Sequence, residues 1–270
     1  MIRMIAMDLD DTLLRSDLTI SFHTRNMVKR ASRAGIVIVL ATGRIPAATG
    51  SFARLLGMHK KNGYCICGNG TLIMESKTKR VIFRAKMSVQ AALAAFDLAS
   101  AEGFAVQLYE NDVMFVSKTN EFTIYDQKLT GLNQVVAEDF RAMIAKGCDK
   151  LLIPGDPLIL PPLESILNTY LGDEITLFTS KPYFLEILPP NVDKGIALEK
   201  VALDMGIKQE EVVAIGDSMN DAAMIKWAGK GVAMLNGDER IKEIADAVSE
   251  KTNEDDGVAD IIEKILGGVW

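Results

Sequence analysis

Histidine, cysteine and aromatic side chains are scarce in this chain of 270 residues, which has 2 His, 3 Cys and only 6% Phe, Tyr and Trp together. Cys65, Cys67 and Cys148 form an odd, sparse set that reads as a reduced, cytoplasmic protein rather than a disulfide scaffold. Cys65 and Cys67 stand two apart in a strand-like run and share a face, but no second cysteine pair or histidine cluster completes a metal site. They are read as small buried hydrophobes. His23 and His59 are isolated and receive no role. No basic stretch is interleaved with aromatics, which argues against nucleic acid as a partner. No apolar run approaches a membrane span, and the N-terminal one stops at Asp8, too early for a signal peptide. Internal repeats and low-complexity tracts are absent from the sequence.

What is present is apolar material and a mild negative balance: 49% hydrophobic residues and a net charge of −6. The first favours packed cores and the second solubility. The length suggests two domains. From the N-terminus, an unbroken apolar run at residues 4–7 reads as a strand buried on both faces. A helix follows over 21–34, with Ser21 as its cap and Gly35 as its stop. A β-branched strand at 36–40 runs into Ala41-Thr42-Gly43-Arg44. A helix near 45–56, a strand at 64–67 and a hairpin of 71–74 with 81–85 complete a strand–helix alternation typical of a parallel, doubly wound sheet.

Near residue 86 the pattern changes. Ser88 caps a helix over 89–102, strands at 104–110 and 113–117 meet in a tight turn at Asn111-Asp112, and helices follow at 121–129 and 137–146. A strand at 150–154, a helix at 162–171 and a hairpin of 175–179 with 183–188 end this section, which fits an inserted α+β domain. Pro189-Pro190 marks a stiff crossing back. The βαβ pattern then resumes: a helix over 194–205, a buried strand at 212–215 running into Gly216-Asp217-Ser218-Met219-Asn220-Asp221, and helix–strand–helix segments to Leu266. The expected fold is therefore α/β, a Rossmann-like doubly wound parallel sheet built from 1–85 and 189–270 and carrying an inserted α+β domain over 86–188.

The chemistry concentrates in MIAMDLDDTLL, residues 4–14. Asp8, Asp10 and Asp11 crowd the end of a core strand, and burying that much negative charge is costly unless a cation binds it. Hard oxygen ligands suit magnesium. An acidic turn after an edge strand is the plain alternative, and the stretch alone does not separate the two. Asp8, Thr42 and Asp217 each lie just beyond a predicted parallel strand, where the C-terminal ends of an open α/β sheet form a ligand crevice. Taken singly, Thr42 is a turn residue, Lys194 a solvated charge at a helix start, Asp217 a helix cap and Asp221 a loop residue. Their joint appearance, in order and at strand ends, is hard to reconcile with four unrelated structural roles.

DxDxT after the first strand, Thr42 of ATGR, Lys194 of DKG, and Asp217 with Asp221 of GDSMND resemble the four motifs of the haloacid dehalogenase-like (HAD) superfamily. The flanking sequence resembles its Cof-type, sugar-phosphatase-like subfamily. The resemblance covers nearly the whole chain, densest at both ends. It implies a magnesium-dependent phosphatase whose inserted domain is a cap that sets specificity. Asp8 would be the nucleophile, Asp10 the acid and then base, Thr42 a hydrogen-bond donor to the phosphoryl group, and Lys194 its counter-cation. Magnesium would be held by Asp8, Asp10 through its carbonyl, Asp217 and, through water or as an anchor, Asp221. Leu9 and Gly43 would add backbone amides to the phosphate cradle, and Asn220 and Asn69 polar side chains. The stretch 183–186 is a candidate from the cap. Asp11 stands where many relatives carry Gly, and Gly68 where a small polar residue is more usual. The implied partner is a small phosphorylated metabolite, with no nucleic acid or membrane, and the protein a monomer or homodimer. A phosphosugar mutase uses the same residues. A phospho-Asp signalling module needs only one small domain, and a silent binding protein would not need the full residue set.

Overall fold

A computed structural model describes all residues except 62, 111, 112 and 270. The chain divides into two compact units, Met1–Phe83 with Asp193–Trp270, and Arg84–Val192. The first contains β1 (Met4–Met7), α1 (Phe22–Arg33), β2 (Val37–Ala41), α2 (Pro46–Leu55), β3 (Gly63–Cys67), β4 (Leu72–Glu75) and β5 (Val81–Arg84). The second contains α3 (Val89–Ala101), β6 (Gln107–Glu110), β7 (Val113–Val116), α4 (Glu121–Thr130), β8 (Asn133–Val136), α5 (Phe140–Ala145), β9 (Leu151–Pro154), α6 (Leu160–Leu171), β10 (Thr176–Lys181) and β11 (Phe184–Leu188). The chain returns to the first unit with α7 (Lys194–Asp204), β12 (Val212–Gly216), α8 (Ala222–Trp227), β13 (Lys230–Ala233), α9 (Glu239–Ile244), β14 (Ala247–Val248) and α10 (Gly257–Leu266).

The large sheet has the order β14-β13-β12-β1-β2-β3-β4-β5. Its central strands are parallel: Met4 pairs with Val37 on one side and Val212 on the other. The β3–β4 hairpin is antiparallel. The unbroken apolar run of β1 has a simple cause, because alternate residues enter different cores. Ile5 and Met7 pack with Val28 of α1 and Ile261 and Ile262 of α10. Met4 and Ala6 pack with Leu198 and Val201 of α7 and Met224 of α8. Helices thus cover both faces, as a doubly wound α/β sheet requires. Ser21 and Ser88 cap α1 and α3, accepting from the amides of Thr24 and Ala91.

The inserted unit is built on a mainly antiparallel sheet of order β10-β11-β9-β6-β7-β8, in which β7 and β8 run parallel. Leu108, Ile153, Leu185 and Ile187 of one sheet face pack with Ala95 of α3, Ile144 of α5 and Leu163 of α6. Gln107, Tyr109 and Asp126 make a buried polar cluster, with Tyr109 Oη donating to Asp126 at 2.6 Å. Burial raises the Asp126 carboxyl, and the Tyr109 and Gln107 hydrogen bonds pull against that rise.

Several elements differ from the sequence expectation. Strand β8 was not anticipated, because none of its residues is buried and it shows no alternation. Beside it the expected helix over 137–146 shrinks to Phe140–Ala145, capped by Asp139. The strand expected at 104–110 shortens to Gln107–Glu110. The short β14 was also not anticipated. The turn expected at Asn111-Asp112 lies outside the described residues.

One close contact links the fold to the chemistry. Gly195, in the first turn of α7, lies against the backbone of α8: a Cβ there would stand 2.6 Å from the carbonyl carbon of Ala223. Gly195→Ala gains about 1 kcal/mol of helix propensity but must push two helices apart, an overpacking cost of about 1–3 kcal/mol or more. Urea denaturation should show a net loss of stability. A variant as stable as the parent would mean that the α7–α8 approach is not rigid.

Candidate active site

Asp8, Thr42 and Asp217 are the residues that immediately follow β1, β2 and β12. The parallel register brings these C-terminal ends together, and the Asp8 amide donates to Ile215 O at 3.0 Å. After Asp8 the chain makes one wide turn over Leu9–Leu13, closed by the Leu14 amide on Leu9 O at 2.8 Å. Leu9 itself is buried. Asp11 has φ +57°, a left-handed conformation natural to glycine and tolerated by Asp. This accounts for an Asp at a position where glycine would be unstrained.

The centre of the site is Lys194, whose side chain is 0% exposed. Its Nζ donates to Asp8 Oδ1 at 2.8 Å and to Asp221 Oδ1 at 2.6 Å. The other oxygen of Asp221 accepts from the Asp217 amide at 3.0 Å and the Ser218 amide at 3.2 Å. Asp217 Oδ1 accepts from Thr12 Oγ1 at 2.7 Å. Carboxylate oxygens of Asp8, Asp217 and Asp221 all lie within 4.8 Å of one another.

Asp10 is turned toward a different partner. Arg44 clamps it with two hydrogen bonds, Nε to Oδ2 at 2.8 Å and Nη2 to Oδ1 at 2.6 Å, and the guanidinium lies 5.6 Å from the Phe52 ring centroid. Thr42 is fully buried; its Oγ1 accepts from the Arg44 amide at 3.1 Å, which leaves the hydroxyl proton available to an anion. Asn69 and Asn220 meet directly, Nδ2 of Asn220 donating to Oδ1 of Asn69 at 3.1 Å. Gly43 sits beside that pair, since a Cβ on it would stand 3.0 Å from Asn69 Nδ2. Gly68 has φ +55° and would clash with Thr71 if it carried a side chain, so a small polar residue does not fit there without rearrangement. Tyr183 packs against the rings of Phe122, Tyr125 and Phe184 within the inserted unit, and Glu186 is buried with Lys150 at 2.9 Å. Arg44 and Thr12 stand inside the motifs, but the sequence alone gives neither a role. The signal for Arg44 was its place two residues beyond Thr42, in the same turn.

Electrostatically, three buried carboxylates face one ammonium. Burial opposes the Lys194 charge, but Asp221 and Asp8 outweigh it and hold the ammonium above its ordinary range. Burial raises Asp8, Lys194 pulls it down, and Asp221, Asp217 and Asp10 push it up again. Burial and then Asp221 lift Asp217 to about 7, against the Thr12 hydrogen bond and Lys194. The surplus negative charge and the hard oxygen donors fit a divalent cation. By contrast, the Cys65 and Cys67 thiols are pushed up to about 11 and about 12 by burial and are inert. Among the described residues, no helix is long and apolar enough to cross a membrane.

The chain and its fold resemble those of known proteins. A family model described as haloacid dehalogenase-like hydrolase matches residues 5–262. A crystal structure of a haloacid dehalogenase-like hydrolase from Bacteroides thetaiotaomicron is 33% identical, with TM-score 0.90 over 98% of this chain and 100% of that one. The 5-amino-6-(5-phospho-D-ribitylamino)uracil phosphatase YcsE of Bacillus subtilis is 30% identical over 97% of this chain and 94% of its own length. An HMP-PP phosphatase of Yersinia pestis is 27% identical over 90% of this chain and 87% of its own.

Replacing Lys194 with Met should cost about 3–5 kcal/mol, because two buried carboxylates lose their counterion. Urea denaturation of Lys194→Met measures this directly. A loss below about 1 kcal/mol would show that the ammonium is not the counterion on which the cluster rests.

Proposed function

The chain belongs to the haloacid dehalogenase-like hydrolase family, and on that premise we propose that it is a magnesium-dependent phosphomonoesterase acting on a small phosphorylated metabolite. One observation carries the proposal: the buried Asp8 carboxylate, held by Lys194 beside Asp217 and Asp221, at the strand ends that also present Thr42.

In this reading Asp8 is the nucleophile. Lys194 fixes one of its oxygens at 2.8 Å, and the other has no hydrogen-bond donor among the described residues. That second oxygen attacks phosphorus, forming an aspartyl-phosphate as the alkoxide leaves. Asp10 gives the alkoxide its proton and then takes one from the water that attacks phosphorus, which frees Asp8 and releases phosphate. Arg44 anchors Asp10 for this work through its two hydrogen bonds. Thr42 and Lys194 donate to the phosphoryl oxygens, with Asn220 and the amides of Leu9 and Gly43 completing the cradle, and Asn69 orienting Asn220. Asp8, Asp217 and the Asp10 carbonyl would hold magnesium, with Asp221 fixing the Asp217 loop. When bound, the metal neutralises charge between the Asp8 carboxylate and the phosphoryl group. Selectivity is assigned to the inserted unit. Sugar phosphates and other small phosphometabolites are the class to test, since phosphatases of such compounds are among the relatives.

The decisive assay is phosphate release from p-nitrophenyl phosphate and a panel of sugar and cofactor phosphates. Release should require magnesium, vanish in EDTA, and fall by several orders of magnitude in Asp8→Asn, while Thr42→Val should lose about 10²–10³ in rate. An isomeric sugar phosphate formed without free phosphate would replace hydrolysis by phosphoryl transfer. No turnover of any substrate by the folded, magnesium-loaded protein would overturn the proposal.

Stability provides an independent check. Asp217 has a folded value of about 7, raised from 3.8. Its contribution to stability is therefore fully present below the lower value and lost as pH rises through the higher one. In EDTA, Tm should fall between roughly pH 4 and 7 and level off above that, and Asp217→Asn should flatten that fall. Saturating magnesium, at about 100 times its dissociation constant, should restore about 2.7 kcal/mol at pH 8. A Tm that is independent of pH and of magnesium would count against a metal at this cluster.

A further inference from the structure

The first unit contains a second concave feature that the catalytic reading leaves unused. A groove of about 800 Å³ runs along α2 and is bounded by Met74 of β4. Its wall is apolar, formed by Pro46, Leu55 and Met74, and Arg54 and Lys79 also line it. A smaller cavity of about 270 Å³ shares Gly50, Arg54 and Lys79 with it and adds His59, Ser76 and Lys77. No residue lining either is acidic, although acidic residues outnumber basic ones in the chain, 36 to 30. The Ser76 hydroxyl is buried, and no oxygen or nitrogen among the described residues accepts from it; it faces only the Cys65 thiol, a weak acceptor.

The basic end of the feature is separate from the Asp8 centre, while the apolar wall starts at Pro46, two residues beyond Arg44. Strand β4 runs antiparallel to β3, with Leu72 opposite Cys67 and Glu75 opposite Tyr64. The turn that carries Ser76, Lys77 and Lys79 therefore lies toward the end of the sheet away from Asp8 and Thr42. Gly50 sharpens the contrast. It sits in the middle of α2, where glycine costs about 1 kcal/mol relative to alanine. No neighbour forbids a side chain there, because a Cβ on Gly50 would meet nothing within 4 Å. Its effect is to keep the groove open.

We propose that this groove is a second ligand site, for a small organic anion with an apolar body. The apolar body lies along α2 beside Gly50, and the anionic group is held by Arg54, Lys77 and Lys79, within reach of Ser76. From Ala47 to Arg54 the helix rises about 10 Å, room for a short hydrocarbon chain or a ring. The larger volume falls within the range of about 300–1,000 Å³ usual for small-molecule sites. Charge complementarity selects the anion. A neutral or cationic amphiphile would find the same wall but no partner for its head.

The test is calorimetric titration of the full chain with octanesulfonate, which no phosphatase can hydrolyse. Octyl glucoside and octyltrimethylammonium serve as neutral and cationic controls, all below their micellar concentrations. One sulfonate should bind per chain, at least about tenfold tighter than either control. Gly50→Trp should abolish binding by filling the groove, and Arg54→Glu with Lys79→Glu should weaken it about tenfold or more. The charge variant alters only exposed side chains, so it keeps the test valid if the tryptophan variant misfolds. Asp8→Asn should bind as tightly as the parent, whether or not the phosphatase proposal holds. Binding that survives both groove variants, is lost in Asp8→Asn, or is matched by octyl glucoside would overturn the assignment. So would a concentration-dependent dimer that Gly50→Trp abolishes, because the occupant would then be a second copy of the chain.

Discussion

The ammonium of Lys194 is the interaction on which the rest of the site depends. It is fully buried, at the first position of α7, where the helix dipole already disfavours a cation. Burial and dipole both oppose its charge, so it can stay there only because Asp8 and Asp221 lie at hydrogen-bonding distance. That requirement reaches into the packing. Asp221 must stand directly under Lys194, which needs α7 and α8 to approach closely, which in turn leaves no room for a side chain at position 195. Gly216 meets the same demand from the strand side, since a Cβ on it would stand 2.5 Å from the Asp221 carboxyl. A constraint on one charge thus accounts for two glycines, a helix crossing and the shape of the loop after β12.

The three carboxylates around this ammonium are not equivalent, and their hydrogen bonds sort them. Asp221 has both oxygens engaged by protein donors, Lys194 on one and two loop amides on the other. It is built into the loop, and its chemistry is to position. Asp217 gives one oxygen to Thr12. Asp8 gives one oxygen to Lys194. Each of these two therefore keeps an oxygen for an external group. Because the cluster has more negative charge than Lys194 balances, those oxygens are costly to ionise, and a cation relieves the cost. The same surplus that destabilises the site without metal is what would draw a metal to it.

Much of this was legible in the sequence, for a definite reason. Strands buried on both faces give unbroken apolar runs, and a polar or charged side chain at a strand end breaks the run; Asp8, Thr42 and Asp217 are such breaks. Arg44 and Thr12 were harder to assign, because their importance lies in which side chain they touch, Asp10 for one and Asp217 for the other. Sequence spacing does not specify that. The edge strand β8 escaped because, with no buried residue, it carries no periodic signal. Asp11 and Gly68, which looked like departures from the family pattern, became intelligible only through backbone angles.

Chain topology adds a last constraint. Lys194 bonds Asp8, 186 positions away, and the segment Arg84–Val192 lies between them as a unit with its own core. Such an insertion is thermodynamically cheap, because closure entropy grows only logarithmically, by about 0.6 kcal/mol for each doubling of loop length. It is cheaper still when the inserted segment folds by itself and fixes its own ends. The expensive requirement is local: β1 must meet β12 in register, so that Asp8 and Asp217 finish their strands side by side. The site can therefore tolerate wide variation in what is inserted, but very little in the few residues around Lys194, because each of them completes the burial of a charge.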